Sequence, residues 1–145
     1  MFLGLNMVLV KIKLLENGKL PEYKTAGAVA VDCFAREETV IEPKCTVKVP
    51  LGFALELPNG YEAQIRGRSG LSSKGVFVQL GTIDSDYRGE VSAIVTNNLS
   101  ESVEIVEGDR ICQMVVQEVP RISFLQVEEL SQTERGENGF GSTGQ

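Results

Sequence analysis

Histidine and tryptophan are both absent from the 145 residues, and the missing histidine removes whole classes of chemistry. Ser-His-Asp and Cys-His catalysis as usually built are excluded. So is a zinc or iron site ligated by histidine. Any general base must be a carboxylate, a lysine, a tyrosine or a thiolate. Cysteine is scarce: Cys33, Cys45 and Cys112 are odd in number and widely spaced, with no C-x-x-C pair. Each has apolar or β-branched neighbours, which predicts buried free thiols in a reducing compartment rather than a disulfide framework. No run approaches the roughly 18 consecutive apolar residues of a membrane-spanning helix. The opening MFLGLNM is apolar but has neither a basic start nor a small-residue cleavage site, so a signal peptide is not expected and a cytoplasmic location is. Basic charge is in the minority, with 14 Lys and Arg against 20 Asp and Glu and a formal net charge of −6. General binding to nucleic acid or to an anionic membrane is therefore not expected, since both rely on basic surface. A local basic pocket remains compatible with that balance.

What is present describes one globular domain. Hydrophobic residues make up 42% and charged residues 23% of the chain, which suits a packed core rather than a disordered chain. A domain of this size buries about two thirds of its unfolded surface and folds without a covalent staple. Val8–Leu14 alternates apolar and polar residues as a half-buried strand does. Further strand candidates are Thr46–Val49, Phe53–Leu57, Tyr61–Ile65, Val76–Leu80, Glu90–Asn97, Val103–Val106, Ile111–Val119 and Ser123–Val127. Turn signals at Pro58-Asn59-Gly60, Asn97-Asn98 and Glu107-Gly108-Asp109 separate them. Many short strands with such turns predict an all-β sandwich or barrel-like fold. Helix is confined to a turn or two over Ser69–Lys74, with Ser69 as cap and Gly75 as terminator. The composition shifts after Val127, so residues 1–127 are read as a single β domain and 128–145 as a tail, mobile in the isolated chain.

Five segments carry chemistry. Asp32, alone in the apolar run Val29–Ala35, needs a cation or a metal if it is buried. Arg66–Gly75 sets cations, hydroxyls and glycines at a helix start, a composition suited to phosphate oxygens and equally to a basic surface turn. Gly81–Glu90 lies between two β runs and reads as a hairpin holding Asp84, Asp86 and Tyr87, either a site or a solvated turn. Gly108–Met114 opens a late strand with a candidate Asp109–Arg110 ion pair and an amide, Gln113, on an apolar stretch. The tail ends in ERGENGFGSTGQ, where Phe140 sits among glycines whose N–H groups are free to approach an anion.

In this order the segments resemble the motif set of the homotrimeric dUTPases, over nearly the whole chain. The specific matches are GRSGL at 67–71, GTIDSDYRGEV at 81–91, GDRICQMV at 108–115 and RGENGFGSTG at 135–144. The resemblance implies a β-barrel or jelly-roll subunit in a homotrimer, with active sites shared between subunits. It implies hydrolysis of dUTP to dUMP and pyrophosphate, with Mg2+ on the triphosphate. It assigns Asp84 to the water that attacks the α-phosphate and Asp32 to an outer-shell contact with the metal. Arg68, Ser69, Gly70 and Gln113 would hold phosphates, Gly81, Thr82 and Ile83 would read uracil, and Tyr87 would underlie the deoxyribose. From the tail, Phe140 would stack on uracil while Arg135, Gly141, Ser142 and Thr143 close on the terminal phosphate. Arg88, Asp109 and Arg110 are read as structural or inter-subunit. Two rival readings are a dCTP deaminase on a related fold and a non-catalytic, nucleotide-sensing trimer.

Overall fold

The computed structural model describes residues 7–141. The sequence readings that fall on residues 1–6 and on Ser142 and Thr143 lie outside that range. In chain order the strands are β1 (Lys11–Leu14), β2 (Val31–Phe34), β3 (Thr39–Ile41), β4 (Thr46–Pro50), β5 (Phe53–Glu56) and β6 (Tyr61–Arg66). After the short helix α1 (Ser69–Ser72) follow β7 (Val76–Val78), β8 (Gly81–Ile83), β9 (Ser92–Asn97), β10 (Val103–Ile105) and β11 (Arg110–Glu118). All pairings are antiparallel. A four-stranded sheet runs β2-β11-β6-β8 and a three-stranded sheet runs β4-β9-β7, with the two-stranded pairs β1-β5 and β10-β3 beside them. This is the expected all-β, jelly-roll-like architecture.

The period-2 pattern decides which face is buried. Ala63 and Ile65 on β6 and Ala93 and Val95 on β9 point inward, and both pairs join one core cluster with Phe53, Leu51 and Ile41. Asn97, read from the sequence as a turn marker, continues the inward set of β9 and is fully buried. Its amide donates to the carbonyls of Ile41 (3.0 Å) and Glu101 (2.7 Å), and its oxygen accepts from the Leu99 N–H (2.9 Å). That satisfies a polar group that would otherwise be costly in the core.

Several expectations need correction. Ser123–Val127 is not a strand: it has no hydrogen-bonded neighbour among the described residues, and Phe124 and Leu125 are 91% and 86% exposed. Gly81–Glu90 is not a hairpin, because β8 pairs with β6 while β9 pairs with β4 and β7 in the other sheet. The segment is a crossing between sheets. The helix cap is Arg68, without a side-chain bond, rather than Ser69. Gly75 does end the turn, at a φ of +98° that few other residues adopt. Cys33 and Cys112 are buried, as expected, but Cys45 is exposed, next to Lys44 at φ 61°.

Candidate functional site

One row of side chains crosses three strands of the four-stranded sheet. Gln113 on β11 is the register partner of Asp32 on β2 and of Arg66 on β6. These residues share the face opposite the core, because their neighbours Cys33, Cys112 and Ile65 point inward. Cys33 and Cys112 lie directly opposite one another, and the hydrogen bond between them together with burial pushes the Cys33 thiol far above its ordinary pKa. It is an inert core group rather than a nucleophile.

A register shift between Arg110 and Cys112 leaves Ile111 unpaired against β2. Such a bulge changes which face the following residue uses. Ile111 turns into the core, and Arg110 comes round to the Asp32 face, its guanidinium 3.5 Å from the carboxylate. Arg68 approaches the other carboxylate oxygen at 3.9 Å and donates to the Arg110 carbonyl at 3.0 Å. Gln113 donates to the Gly67 carbonyl at 2.9 Å, fixing the loop that carries Arg68 to the strand. Asp32 is nearly buried, and two guanidiniums offset the cost of its charge. The expectation that it is paired therefore holds. The anticipated Asp109–Arg110 pair does not form: Asp109 instead accepts the Val106 N–H at 2.9 Å, and Arg110 serves Asp32 within the same chain.

Above this row lies an open cavity of about 410 Å³. Its lining draws on three places in the chain: Lys24, Thr25 and Ala28 from the loop before β2, Asp32 and Gln113 from the sheet with Arg66, and Arg68, Ser69 and Gly70 from the start of α1. Three cations (Lys24, Arg66 and Arg68) face one carboxylate that is already paired, a local inversion of the chain's −6 balance. Lys24 and Thr25 carry no signal in the sequence reading, whereas Arg66 opens the Arg66–Gly75 segment read as suited to phosphate oxygens. Arg66 was visible as the last residue of an alternating strand, whereas the wall at 24–30 depends on how the loop before β2 folds back.

The other anticipated groups stand elsewhere. Gly81, Thr82 and Ile83 form β8 at the edge of the same sheet, with Thr82 opposite Gln64 and Gly81 opposite Ile65. Asp84 and Tyr87 follow on an exposed turn and do not line the cavity. The Tyr87 hydroxyl donates to the Glu90 carbonyl at 2.9 Å, laying the ring across Gly89, where a Cβ would collide with it. Beneath the turn, Glu90 accepts from Arg36 at 2.6 and 3.2 Å and from the Gly52 N–H at 3.0 Å. The hydrogen bond from Arg36 holds the Glu90 carboxyl below its ordinary range, and the same bond raises the Arg36 pKa. The base of the turn is thus ionically locked to the barrel while Asp84 faces solvent. In the C-terminal stretch, Arg135 donates to the Asn138 carbonyl at 2.7 Å, and Phe140 (φ 50°) and Gly141 (φ 87°) are exposed.

Fold and cavity together define a class: a jelly-roll-like domain with a cation-lined pocket on one sheet, suited by charge to an anionic ligand. Comparison with known proteins makes that more specific. The dUTPase family model matches residues 16–144. A deoxyuridine 5'-triphosphate nucleotidohydrolase of Zymomonas mobilis is 45% identical, covering 93% of this chain and 97% of the relative. Another from Hydrogenobaculum sp. is 49% identical, covering 95% and 99%. Among solved structures, Staphylococcus bacteriophage 80alpha dUTPase with dUPNHPP superposes with a TM-score of 0.87 at 30% identity, covering 94% of this chain and 98% of that one. A variant dUTPase from phage phi11 of S. aureus, described with a structural Mg(II) ion, gives 0.78 at 27% identity, covering 83% and 97%. The chain belongs to the dUTPase family. It is accordingly an enzyme, of the nucleotide-hydrolysing kind.

Proposed function

We propose that the chain hydrolyses dUTP to dUMP and pyrophosphate with Mg2+, by water attack on the α-phosphate, in a homotrimer whose sites are shared between subunits. The supporting observation is the division of labour within one chain. The cavity gathers Asp32, Arg68, Ser69, Gly70 and Gln113, while Asp84 and Tyr87 stand outside it on an exposed turn. A second subunit would supply that turn and a third the C-terminal stretch. The apolar side chains left in solvent, among them Leu9, Ile122, Phe124 and Leu125, favour such assembly.

In this reading the Asp84 carboxylate orients the attacking water and takes its proton, the role open to a carboxylate in a protein without histidine. Arg68, Ser69, Gly70 and Gln113 hold the phosphate chain in line, and positioning with charge stabilisation supplies most of the catalysis. Tyr87 underlies the deoxyribose, and the main chain of Gly81, Thr82 and Ile83 reads the polar edge of uracil. Phe140 stacks on the base while Arg135, Gly141 and Ser142 close over the phosphates. Among the described residues no group of three or more acidic, Cys or His side chains could hold a metal, and the cavity's acid is already paired. That donor set fits a Mg2+ carried by substrate phosphates and waters, with Asp32 touching those waters, rather than a protein cage. The bound metal would neutralise phosphate charge. The cellular role is to keep uracil out of DNA and to supply dUMP for thymidylate synthesis in the cytoplasm.

Pyrophosphate release from dUTP, dCTP, dTTP and UTP in the presence of Mg2+ tests the reading. Turnover confined to dUTP is expected. Ammonia from dCTP would move the chain to deamination, and dUTP binding without product would make it a sensing module.

A further inference from the structure

We infer that Lys24, which lines the same cavity as Arg68, is a phosphate-binding residue contacting the polyphosphate chain of the substrate. The inference rests on the dUTP-hydrolysing reading for its substrate, but its geometry is independent of it. Lys24 lies in the loop between β1 and β2, two residues past Glu22. The backbone of Glu22 is clamped to that of Asp32 by two hydrogen bonds, Asp32 N–H to the Glu22 carbonyl at 2.8 Å and Glu22 N–H to the Asp32 carbonyl at 3.2 Å. Beyond Lys24 the chain folds back through a turn closed by the Ala28 N–H on the Thr25 carbonyl at 3.2 Å. The backbone on both sides of Lys24 is therefore tied down beside the cavity, next to the strand that carries the cavity's carboxylate, while the side chain is exposed.

Charge supplies the second argument. Asp32 is engaged by Arg68 and Arg110 and has no need of a third cation. Arg66 is drawn along its strand by Gln64, at 3.3 and 3.0 Å. Lys24 has no acid, carbonyl or ring partner among the described residues, unlike Lys11 on Glu56, Lys44 on the Asn98 carbonyl and Lys19 over the Phe34 ring, and of the lysines left unpaired with it (Lys13, Lys48 and Lys74) none lines the cavity. An ammonium on a flexible four-carbon stem, set beside a pocket already rich in guanidinium groups, adapts to phosphate oxygens as a movable point charge. Of the GRSGL and GTIDSDYRGEV segments only Arg68, Ser69 and Gly70 line the cavity, so Lys24 adds a cation from a separate part of the chain.

Steady-state kinetics on Lys24→Ala and Lys24→Arg, beside titration of inorganic tripolyphosphate into each protein, test the inference. An exposed charge-assisted contact predicts a KM for dUTP raised about three- to tenfold in Lys24→Ala, with kcat changed less than about twofold. Lys24→Arg should stay near wild type. The affinity loss should be seen with tripolyphosphate, shrink for dUMP and vanish for deoxyuridine. It should also narrow at high salt, because the Debye length falls to about 3 Å at 1 M. A wild type that hydrolyses dUTP with Lys24→Ala matching it in KM overturns the role of Lys24. So does a loss that is equal for deoxyuridine and dUTP, or a wild type that ignores tripolyphosphate. If dUTP is neither bound nor cleaved but Lys24→Ala still weakens tripolyphosphate, the anion contact stands and only the substrate assignment falls.

Discussion

Replacing Glu90 by glutamine removes the negative charge that fastens the Asp84–Gly89 turn to the barrel. The carboxylate takes two bonds from Arg36, at 2.6 and 3.2 Å, and one from the Gly52 N–H at 3.0 Å. Glutamine keeps one acceptor, so either Gly52 or an Arg36 donor loses its partner. The two side chains are about a quarter exposed, at 27% and 24%. Solvent screening therefore discounts the 1.5–3 kcal/mol typical of a charged hydrogen bond to about 1–2 kcal/mol. For a chain of this length that is about 3–6 °C in Tm, measured at fixed protein concentration because assembly contributes.

The pH dependence has a definite sign. Because Glu90 titrates lower in the folded chain than in the unfolded one, its contribution is fully present above the unfolded carboxylate range. It is lost as the pH falls through the folded value. Urea titrations at neutral pH should show the wild type ahead of Glu90→Gln, and the gap should close as the solution is acidified. A double-mutant cycle with Arg36→Met should return about 1 kcal/mol of coupling. A gap that is the same at pH 3 and pH 7, or two single effects that simply add, would refute the ionic lock.

Two further outcomes follow from the placement of the C-terminal stretch and the thiols. Deleting residues 134–145 should lower turnover by about 100-fold or more, since the closing segment positions the substrate, while far-UV signal and assembly stay unchanged; normal activity would remove the segment from the mechanism. A thiol reagent should titrate Cys45 alone in the native protein and all three cysteines in denaturant, because Cys33 and Cys112 are fully buried; rapid native reaction of either buried thiol would contradict the packing.

Alternation made most strands legible, because Tyr61–Arg66 and Ser92–Asn97 bury every second residue against the core. The strands it hid are short or irregular in pattern. Val31–Phe34 has buried residues on both faces, Thr39–Ile41 is flanked by acids, and Gly81–Ile83 begins on a residue that normally marks a turn. Ser123–Val127 failed in the opposite sense, having a strand's composition but no partner among the described residues. The family resemblance grouped Asp32, Arg68 and Gln113, yet register brings them together in the chain, through a bulge at Ile111 that no local signal announces. The wall bearing Lys24 is likewise tertiary, set by the clamp between Glu22 and Asp32. The separation of Asp84 from the cavity was not readable from composition or spacing.

That separation is the centre of the account, and pyrophosphate release from dUTP by mixed subunits tests it most directly. Asp84→Asn and Arg68→Ala chains, each inactive alone, would be co-refolded in equal amounts. If one chain supplies the carboxylate and another the phosphate cavity, random assembly restores both native groups in about a quarter of the sites, and activity returns to about that fraction of wild type. A mixture no more active than its two components would mean that each chain carries Asp84 and Arg68 to the same site, and the shared architecture would be wrong.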